Sequence, residues 1–522
     1  MNRNIATLRQ RATAFLCLIL PLACHQTQAV LAWGSTLRTL GTATLLAFSI
    51  HQEPVVEGAS GYWLTTINDF VARDLTTMGD HVAIGGETFD EEPTIVILDN
   101  RGRVTKNITF ETPHDEGVFR KGILRSLVYD PGMHVFGVTG HIAGDSMFFI
   151  GQLDADGEFR KNSWVNYLTE EACTDPLCSS IPVQEMYSIA PVITNNGSLG
   201  YVITGRVEEL RGDTLVSIAA TYRFGNTGNK NWGRLIVGSP LGISPKEFYS
   251  ILYDVSFIPS GRFFYTGTIG NSINKTLLCA TDDKMDGGCI VFSTSFESST
   301  GYRIDMGRNH NHSIIAGTGQ KQGHDESFYI LEMDLQHRNF TNSFQWGYYI
   351  DGKSGARGLE KDSNGNAIAV GYYYLEDDWR VAFVYQFSVV GEKNWEYVYG
   401  DDTPQWVEVT SVVIDDNDDI TIAGWQSRRP TSSKKSFVIH LPSSGTNCGS
   451  ATIPLEEEQG ITVIDGYSIV ARDVSLFSTA LSTPTRSHAD INVQSSLPVC
   501  SGASRLLPIS FLSAVLTMKI LI

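Results

Sequence analysis

The sequence predicts an all-β fold: a seven-bladed β-propeller of four-stranded antiparallel blades, with a small C-terminal extension of strands and loops. A phrase of turn residues, apolar run and glycine, as in "NGNAIAVGYYY" at 364–374, recurs seven times at intervals of 50 to 65 residues. That period and count are typical of propellers. Between the turns, apolar and polar residues alternate with the period of β-strands, and no amphipathic helical pattern interrupts them.

The repeat is aligned on the glycine that ends the second apolar run of each unit. These glycines are Gly85, Gly140, Gly205, Gly267, Gly317, Gly371 and Gly424. A polar loop and a third alternating strand follow each glycine, as in "SFYILEMD". Tryptophans mark the expected fourth strands at Trp164, Trp232, Trp346 and Trp395. Trp63 precedes the first unit, and we expect its strand to close the last blade, because closure removes free sheet edges.

Composition limits the classes of function. The chain has 522 residues, a net charge of −18, 18% charged residues and 10% aromatic residues. Such a chain is folded rather than disordered, and it is long enough for several domains or one closed repeat. Binding to nucleic-acid phosphates needs a basic surface, which this acidic chain lacks, so we expect no nucleic-acid partner.

Both ends of the chain resemble processing signals. Arg3, Arg9 and Arg11 precede an apolar run that ends near "TQA" at 27–29, so residues 1–29 are predicted to be a signal peptide. A lipoprotein signal with Cys24 as the lipidated residue is the alternative. Residues 30–66 form an N-terminal segment that includes the expected closing strand, and residues 67–445 form the propeller.

The C-terminal region divides into an extension and a tail. Residues 446–500 are Ser/Thr-rich with strand-like runs, and they form either a cap on the propeller or a stalk. Residues 501–522 are a hydrophobic tail, interpreted as a GPI-attachment signal or a short membrane anchor. A terminal strand or helix packed on the domain is the alternative for the tail.

Cysteines and sequons indicate an oxidising, extracellular compartment. Six cysteines remain after the signal, and chain order suggests the pairs Cys173–Cys178, Cys279–Cys289 and Cys448–Cys500. The five glycosylation sequons are at Asn107, Asn196, Asn274, Asn311 and Asn339. We therefore expect a secreted or cell-surface glycoprotein that is monomeric and tethered to a membrane through its tail.

One unit carries a family resemblance. Its phrases "SNGNAIAVG" and "DDWRVAFVYQFSVVGEKNWEYVYG" at 363–400 resemble the repeats of secreted and surface-attached β-propeller proteins. The resemblance covers residues 67–445 and implies the fold. The G-x-x-x-W phrases at 228–232 and 391–395 are similar to quinoprotein repeats, in which the tryptophan docks neighbouring blades, so that likeness implies no cofactor.

Motifs for cofactors and metals are weak. "GYYIDGKS" at 347–354 matches a phosphate-binding loop, but no helix pattern follows it, and it aligns with a strand and connector in the next unit. Asp415, Asn417 and Asp419 partly resemble a calcium loop, although turns collect these residue types without a metal. We expect no metal and no cofactor, with calcium left open.

Acidic loops between the second and third strands indicate the ligand-binding face. Their candidate residues are Asp90, Glu91, Asp145, Glu208, Asp213, Asp325, Glu326, Asp377 and Asp378. The last loop, "QSRRPTSSKK", is basic instead. The sequence favours a binding or adhesion module for an extracellular glycan or protein rather than an enzyme. The alternative is a glycan hydrolase or lyase with carboxylates at the propeller mouth, which a deep pocket of converging His, Tyr, Arg and acids would favour.

Overall fold

The computed structural model describes residues 63–497 with internal gaps, all within one compact unit, Ser60–Ile522. The gaps are 111, 114–118, 143–147, 155–164, 170–183, 195–196, 212–213, 228–229, 241–247, 283–286, 307–311, 335–343, 377–378, 401–403, 430–431, 446–452, 459–461, 465–466, 474–475, 481–485 and 488–492. The described elements are all β-strands. Among these residues no helix has the length and apolar character needed to cross a membrane.

The first described strand, β1 (Trp63–Asn68), belongs to the last blade, and the following strands fill the blades in order from the centre outwards. Blade 1 contains β2 (Phe70–Met78), β3 (His81–Thr88), β4 (Pro93–Leu98) and β5 (Val104–Phe110). After a hairpin of β6 (Thr112–Pro113) and β7 (Phe119–Arg120), blade 2 contains β8 (Gly122–Asp130), β9 (Val135–Ile142), β10 (Phe148–Asp154) and β11 (Val165–Thr169).

The middle blades repeat this antiparallel arrangement. Blade 3 contains β12 (Gln184–Thr194), β13 (Gly197–Arg211), β14 (Thr214–Phe224) and β15 (Lys230–Pro240). Blade 4 contains β16 (Tyr249–Ile258), β17 (Arg262–Gly270), β18 (Asn274–Asp282) and β19 (Gly287–Ser293). Blade 5 contains β20 (Ser298–Met306), β21 (His312–Gln320), β22 (Glu326–Asp334) and β23 (Phe344–Ile350).

The last two blades complete the ring. Blade 6 contains β24 (Ser354–Lys361), β25 (Ala367–Glu376), β26 (Trp379–Phe387) and β27 (Lys393–Tyr399). Blade 7 contains β28 (Trp406–Ile414), β29 (Ile420–Ser427), β30 (Lys435–Leu441) and, as its fourth strand, β1. The described strands thus confirm the predicted fold class. The fold is a seven-bladed β-propeller.

Strand β1, at the beginning of the described residues, closes the ring by pairing with the third strand of the seventh blade. It runs antiparallel to β30, with Trp63 opposite His440 and Asn68 opposite Lys435. The Trp63 and His440 rings stack with centroids 5.3 Å apart, and the side chain of Ile67 is fully buried. Closure of this kind leaves no free edge between the first and last blades.

The segment after Gly445 runs around the outside of the propeller in the reverse order of the blades. It adds a fifth, antiparallel strand to six blades: β31 (Leu455–Glu457) to blade 5, β32 (Thr462–Val463) to blade 4, β33 (Tyr467–Asp473) to blade 3, β34 (Leu476–Ala480) to blade 2, β35 (Arg486–Ser487) to blade 1 and β36 (Val493–Leu497) to blade 7. The sequence left a cap or a stalk open. The described strands lie instead along the outer edges of the blades.

Seven clusters of buried apolar residues hold the described blades together, one between each pair of neighbours. Each cluster includes an apolar side chain from the innermost strand of a blade. These residues are Leu75, Leu127, Ile189, Val255, Ile304, Leu359 and Val412. Because each blade buries its faces only against its neighbours, the core is a ring of interfaces around a central channel.

Candidate functional site

The innermost strand of every blade contains a β-bulge at the same position. The register of its pairing with the second strand skips one residue there. The skipped residues are Arg73, Arg125, Tyr187, Tyr253, Tyr302, Arg357 and Thr410. A bulge re-aims a side chain and commonly lies next to a functional site. Here seven bulges direct seven side chains toward one end of the channel.

The repeated glycine lies opposite each bulge. A β-carbon on Gly267 would overlap the carbonyl oxygen of Ile251 and lie 3.0 Å from the α-carbon of Leu252. Only glycine leaves room for the bulged strand at this point. In blade 1 the glycine in this position is Gly86, which pairs with Ala72 before the bulge, whereas the sequence alignment used Gly85.

The bulged side chains line a cavity of about 260 Å³, which we call the mouth. Its walls are Arg73, Arg125, Tyr187, Tyr253, Tyr302, Arg303, Ala356, Arg357, Glu408 and Thr410. The first strand of blade 1 begins beside the end of β3, since Phe70 pairs with Thr88. The mouth therefore opens on the face that carries the loops between second and third strands, which we call the upper face.

Three tyrosines from blades 3, 4 and 5 form an aromatic arc along one side of the mouth. The rings of Tyr187 and Tyr253 have centroids 5.3 Å apart, and those of Tyr253 and Tyr302 are 4.8 Å apart. Burial raises the pKa of all three hydroxyls. They therefore stay protonated at neutral pH and can donate hydrogen bonds.

Arginine–glutamate pairs stand on the other side of the mouth. Arg73 donates from Nε to both carboxylate oxygens of Glu87, at 2.9 and 3.1 Å. Arg357 and Arg380 both donate to Glu408, at 2.8 and 2.6 Å. Burial alone would raise the pKa of Glu408, but the two guanidinium groups lower it. Glu408 is therefore ionised, and both carboxylates are occupied by arginine.

Arg125 differs from the other arginines of the mouth. Its Nε lies 3.4 Å from Nδ1 of His141, and among the described residues it contacts no carboxylate. Burial and the nearby charge of Arg73 lower the pKa of Arg125. Burial and Arg125 itself lower the pKa of His141 to about 4, so this imidazole is neutral at pH 7. Arg125 thus carries a charge that its described neighbours do not neutralise by contact.

A second group of polar side chains borders the arc in blade 3. The Tyr187 hydroxyl donates to Glu185, and Arg206 donates to the same carboxylate at 3.0 Å. Arg206 also lies 3.6 Å from Glu208. Burial alone would raise the pKa of Glu185, but the hydrogen bonds from Tyr187 and Arg206 lower it. Glu185 is therefore an ionised acceptor that orients Tyr187.

Below the mouth, hydrogen bonds join the first strands of neighbouring blades around the channel. We call this set of hydrogen bonds the collar. Ser126 and Ser411 donate to the two carboxylate oxygens of Asp74, at 2.7 and 2.8 Å. Ser188 donates to Asp254 at 2.7 Å. Each carboxylate also accepts a backbone N–H from a neighbouring blade, at 2.9 and 3.0 Å. The collar fixes the first strands relative to one another, which keeps the bulged side chains in position.

Below the collar lies a larger chamber of about 610 Å³, lined by the first strands of all seven blades. Arg303 stands between the two cavities: it donates to the Arg357 carbonyl at 2.7 Å and lies 3.9 Å from Asp254. Asp305 and Glu360 line the chamber, and burial raises the pKa of both. The channel is therefore arginine-rich at the mouth and carboxyl-rich in the chamber.

The acidic loop residues predicted as the ligand face occupy several positions. Asp90, Glu91, Asp325 and Glu326 are exposed at loops of the upper face, and Glu208 lies beside Arg206 in β13. Asp145, Asp213, Asp377 and Asp378 lie outside the described residues. None of the five described residues belongs to the walls of the mouth. Their role in binding stays a prediction.

One predicted disulfide and two predicted sequons fall on described residues. Cys279 and Cys289 are directly paired across β18 and β19 and form the expected bridge. Asn107 and Asn274 are half-buried, and Asn274 accepts a hydrogen bond from Tyr249. Outside the described residues lie Cys173, Cys178, Cys448, Cys500, Asn196, Asn311 and Asn339. The signal peptide 1–29 and the tail 501–522 also lie outside them, so processing, location and glycosylation stay predictions.

The turn that resembled a calcium loop joins β28 to β29. Oδ1 of Asp415 accepts the backbone N–H groups of Asn417 and Asp419, at 2.8 and 3.0 Å. Asp415, Asp419 and His440 bring one ligand atom each within 4.8 Å of one another. The turn hydrogen bonds alone account for Asp415. Calcium binding therefore stays untested.

Comparisons with known proteins show similarity of fold alone. No family model and no curated protein sequence matches this chain. The β-propeller domain of Cps50 (Swd1) from Myceliophteria thermophila is 9% identical, with a TM-score of 0.41 over 72% of this chain and 97% of that domain. The Dos1 propeller is 9% identical, with a TM-score of 0.40 over 71% and 92%. Sqt1 from Saccharomyces cerevisiae is 8% identical, with a TM-score of 0.39 over 78% and 97%.

Proposed function

We propose that this protein is a β-propeller binding module that holds an extracellular glycan or protein ligand at the mouth. The observation that carries the proposal is the ring of seven bulges, which brings three arginines and three tyrosines to one small cavity. A packing role does not require such side chains to converge. Recognition does, because a few placed polar and aromatic groups fix the orientation of a ligand.

The rigidity of the scaffold supports this role. The collar joins Asp74 to two neighbouring blades, and two arginines of the mouth, Arg73 and Arg357, are held by Glu87 and Glu408. A ligand therefore meets side chains whose rotamers are already fixed. Less conformational entropy is lost on binding to such a site.

This proposal can be tested by applying the purified full-length protein to glycan arrays and to arrays of extracellular proteins. Tyr253→Ala removes the central ring of the arc without breaking an ion pair, and Arg262→Gln changes an exposed arginine at the opposite end of the same blade. We expect the ligands of the wild type to lose at least tenfold in affinity with Tyr253→Ala and to keep their affinity with Arg262→Gln. Ligands that bind both variants equally would refute a site at the mouth.

The glycan hydrolase or lyase alternative is favoured by one observation. Arg125 and Tyr187 line the mouth, and they contact His141 and Glu185 behind the wall, which brings together the residue types of a catalytic pocket. A general acid needs a raised pKa, however, and the pKa of Glu185 is lowered. Incubating the array ligands with the wild type and looking for shortened or unsaturated products tests this alternative directly.

A further inference from the structure

The mouth contains hydrogen-bond donors that no described residue uses. Arg125 uses Nε on His141, so its two terminal amino groups have no partner among the described residues. Arg73 uses Nε and Nη2 on Glu87, which leaves Nη1. The Tyr253 hydroxyl also donates to no described residue. Because a guanidinium group has donors and no acceptor, a matching ligand must bring acceptors.

The charges at the mouth also indicate a ligand that brings acceptors, and specifically an anionic one. Glu408 in the wall of the mouth is already bound by Arg357. The carboxylates that contact other wall residues from behind are bound as well: Glu87 by Arg73, and Glu185 by Arg206. Arg125 is the member of the ring without such a partner in the described part of the chain, and it lies close enough to Arg73 for their charges to repel. A bound anion would neutralise Arg125 and reduce this repulsion. The planar fork of arginine matches a carboxylate in a bidentate arrangement.

The hydrogen-bonding groups and the volume of the cavity favour a sugar over an acidic peptide. A peptide brings backbone N–H donors that need acceptors, whereas the free groups described here are donors. A carboxylated sugar brings carboxylate and ring oxygens that only accept, and its hydroxyl groups accept as well as donate. The cavity of about 260 Å³ is below the roughly 300–1,000 Å³ of pockets for drug-sized ligands, so it holds one terminal residue of a larger glycan.

We infer that the mouth binds a terminal carboxylated sugar, with Arg125 holding its carboxylate and Tyr253 and Tyr302 contacting its ring. This inference rests on the proposed binding function and names the ligand class for that same site. Arg125 is the specificity-determining residue, because it supplies the charge that neutral sugars cannot use. Tyr253 and Tyr302 supply contact area that acidic and neutral sugars share.

The test compares three oligosaccharides that differ only in their terminal residue: glucuronic acid, glucuronamide and glucose. Isothermal titration with the full-length wild type should give at least tenfold weaker binding for the amide and for glucose. Arg125→Gln should weaken binding of the acid by about tenfold and abolish its advantage over the amide. Arg125→Lys should restore part of that advantage, and the control Arg262→Gln should behave as the wild type.

Each outcome separates this inference from the proposed function. Equal binding of all three oligosaccharides, or no binding of any of them, would overturn the carboxylated-sugar assignment. The proposed function would still stand if array ligands depended on Tyr253. It would fail if no array ligand responded to Tyr253→Ala, whatever the oligosaccharides did. Since the wild-type comparison needs no substitution, misfolding of a variant cannot hide the result.

Discussion

The glycine opposite a bulge controls both stability and the position of a mouth residue. Gly267→Ala would place a methyl group against the backbone of Ile251 and Leu252, where rotation of a side chain cannot relieve the overlap. Adding a methyl group to a packed interior costs about 1–3 kcal/mol, and a backbone neighbour places this case near the upper end. At about 2 °C per kcal/mol for a large domain, the melting temperature should fall by about 6 °C.

Blade 4 also provides the matched control for this substitution. Gly288 lies in β19 with no atom near the position of a β-carbon, so Gly288→Ala should change the free energy of unfolding by less than about 0.5 kcal/mol. Thermal unfolding of both variants measures the difference. Because Tyr253 is the bulged residue opposite Gly267, Gly267→Ala should also weaken binding of the array ligands. If the two variants melted together, the steric explanation of the repeated glycine would be wrong.

Three further predictions concern the disulfide, the buried histidine and the closing strand. Replacing Cys279 and Cys289 together by serine should cost about 2–3 kcal/mol, measured by thermal unfolding without reductant, because the bridge restricts the unfolded chain. The pKa of His141 in the folded state, about 4, lies below its usual 6.5, so the free energy of unfolding should fall as pH drops from about 6.5 to about 4. His141→Asn should make the free energy of unfolding less dependent on pH in this range. An unchanged pH dependence in the variant would contradict the lowered pKa. Ile67→Ala should cost about 2–5 kcal/mol, whereas alanine at the exposed Ile273 should be nearly neutral.

The fold could be predicted because the signals were local and repeated. Alternating strands, turns and a glycine such as Gly371 recur in every unit, and the structure explains that glycine through the bulge. The alignment failed by one position in blade 1, where Gly85 and Gly86 are adjacent and only pairing distinguishes them. The outer strands of 455–497 have no such period, since each is only two to seven residues long and takes its register from a different blade.

The candidate site was harder to predict. The acidic loops directed the interpretation to the upper face. They lie at its exposed rim, however, and residues such as Asp90 and Asp325 do not line the mouth. Tyr253 and Arg357 looked like ordinary strand residues, because a bulge interrupts alternation by a single position. One signal was present: the bulged residues lie 12 to 18 positions before the repeated glycines of the sequence alignment. Because this spacing differs between units, the glycines alone do not identify the bulged residue of each first strand, and the strand pairing was needed to find the arginines and tyrosines.

The central claim is that ligands bind at the mouth and not at the acidic rim. A structure of the full-length protein with a ligand found on the arrays tests it most directly. We predict ligand atoms within hydrogen-bond distance of Arg125 and in contact with the ring of Tyr253. A ligand bound instead to the loops of Asp90, Glu91 and Asp325, with the mouth unchanged, would contradict the account.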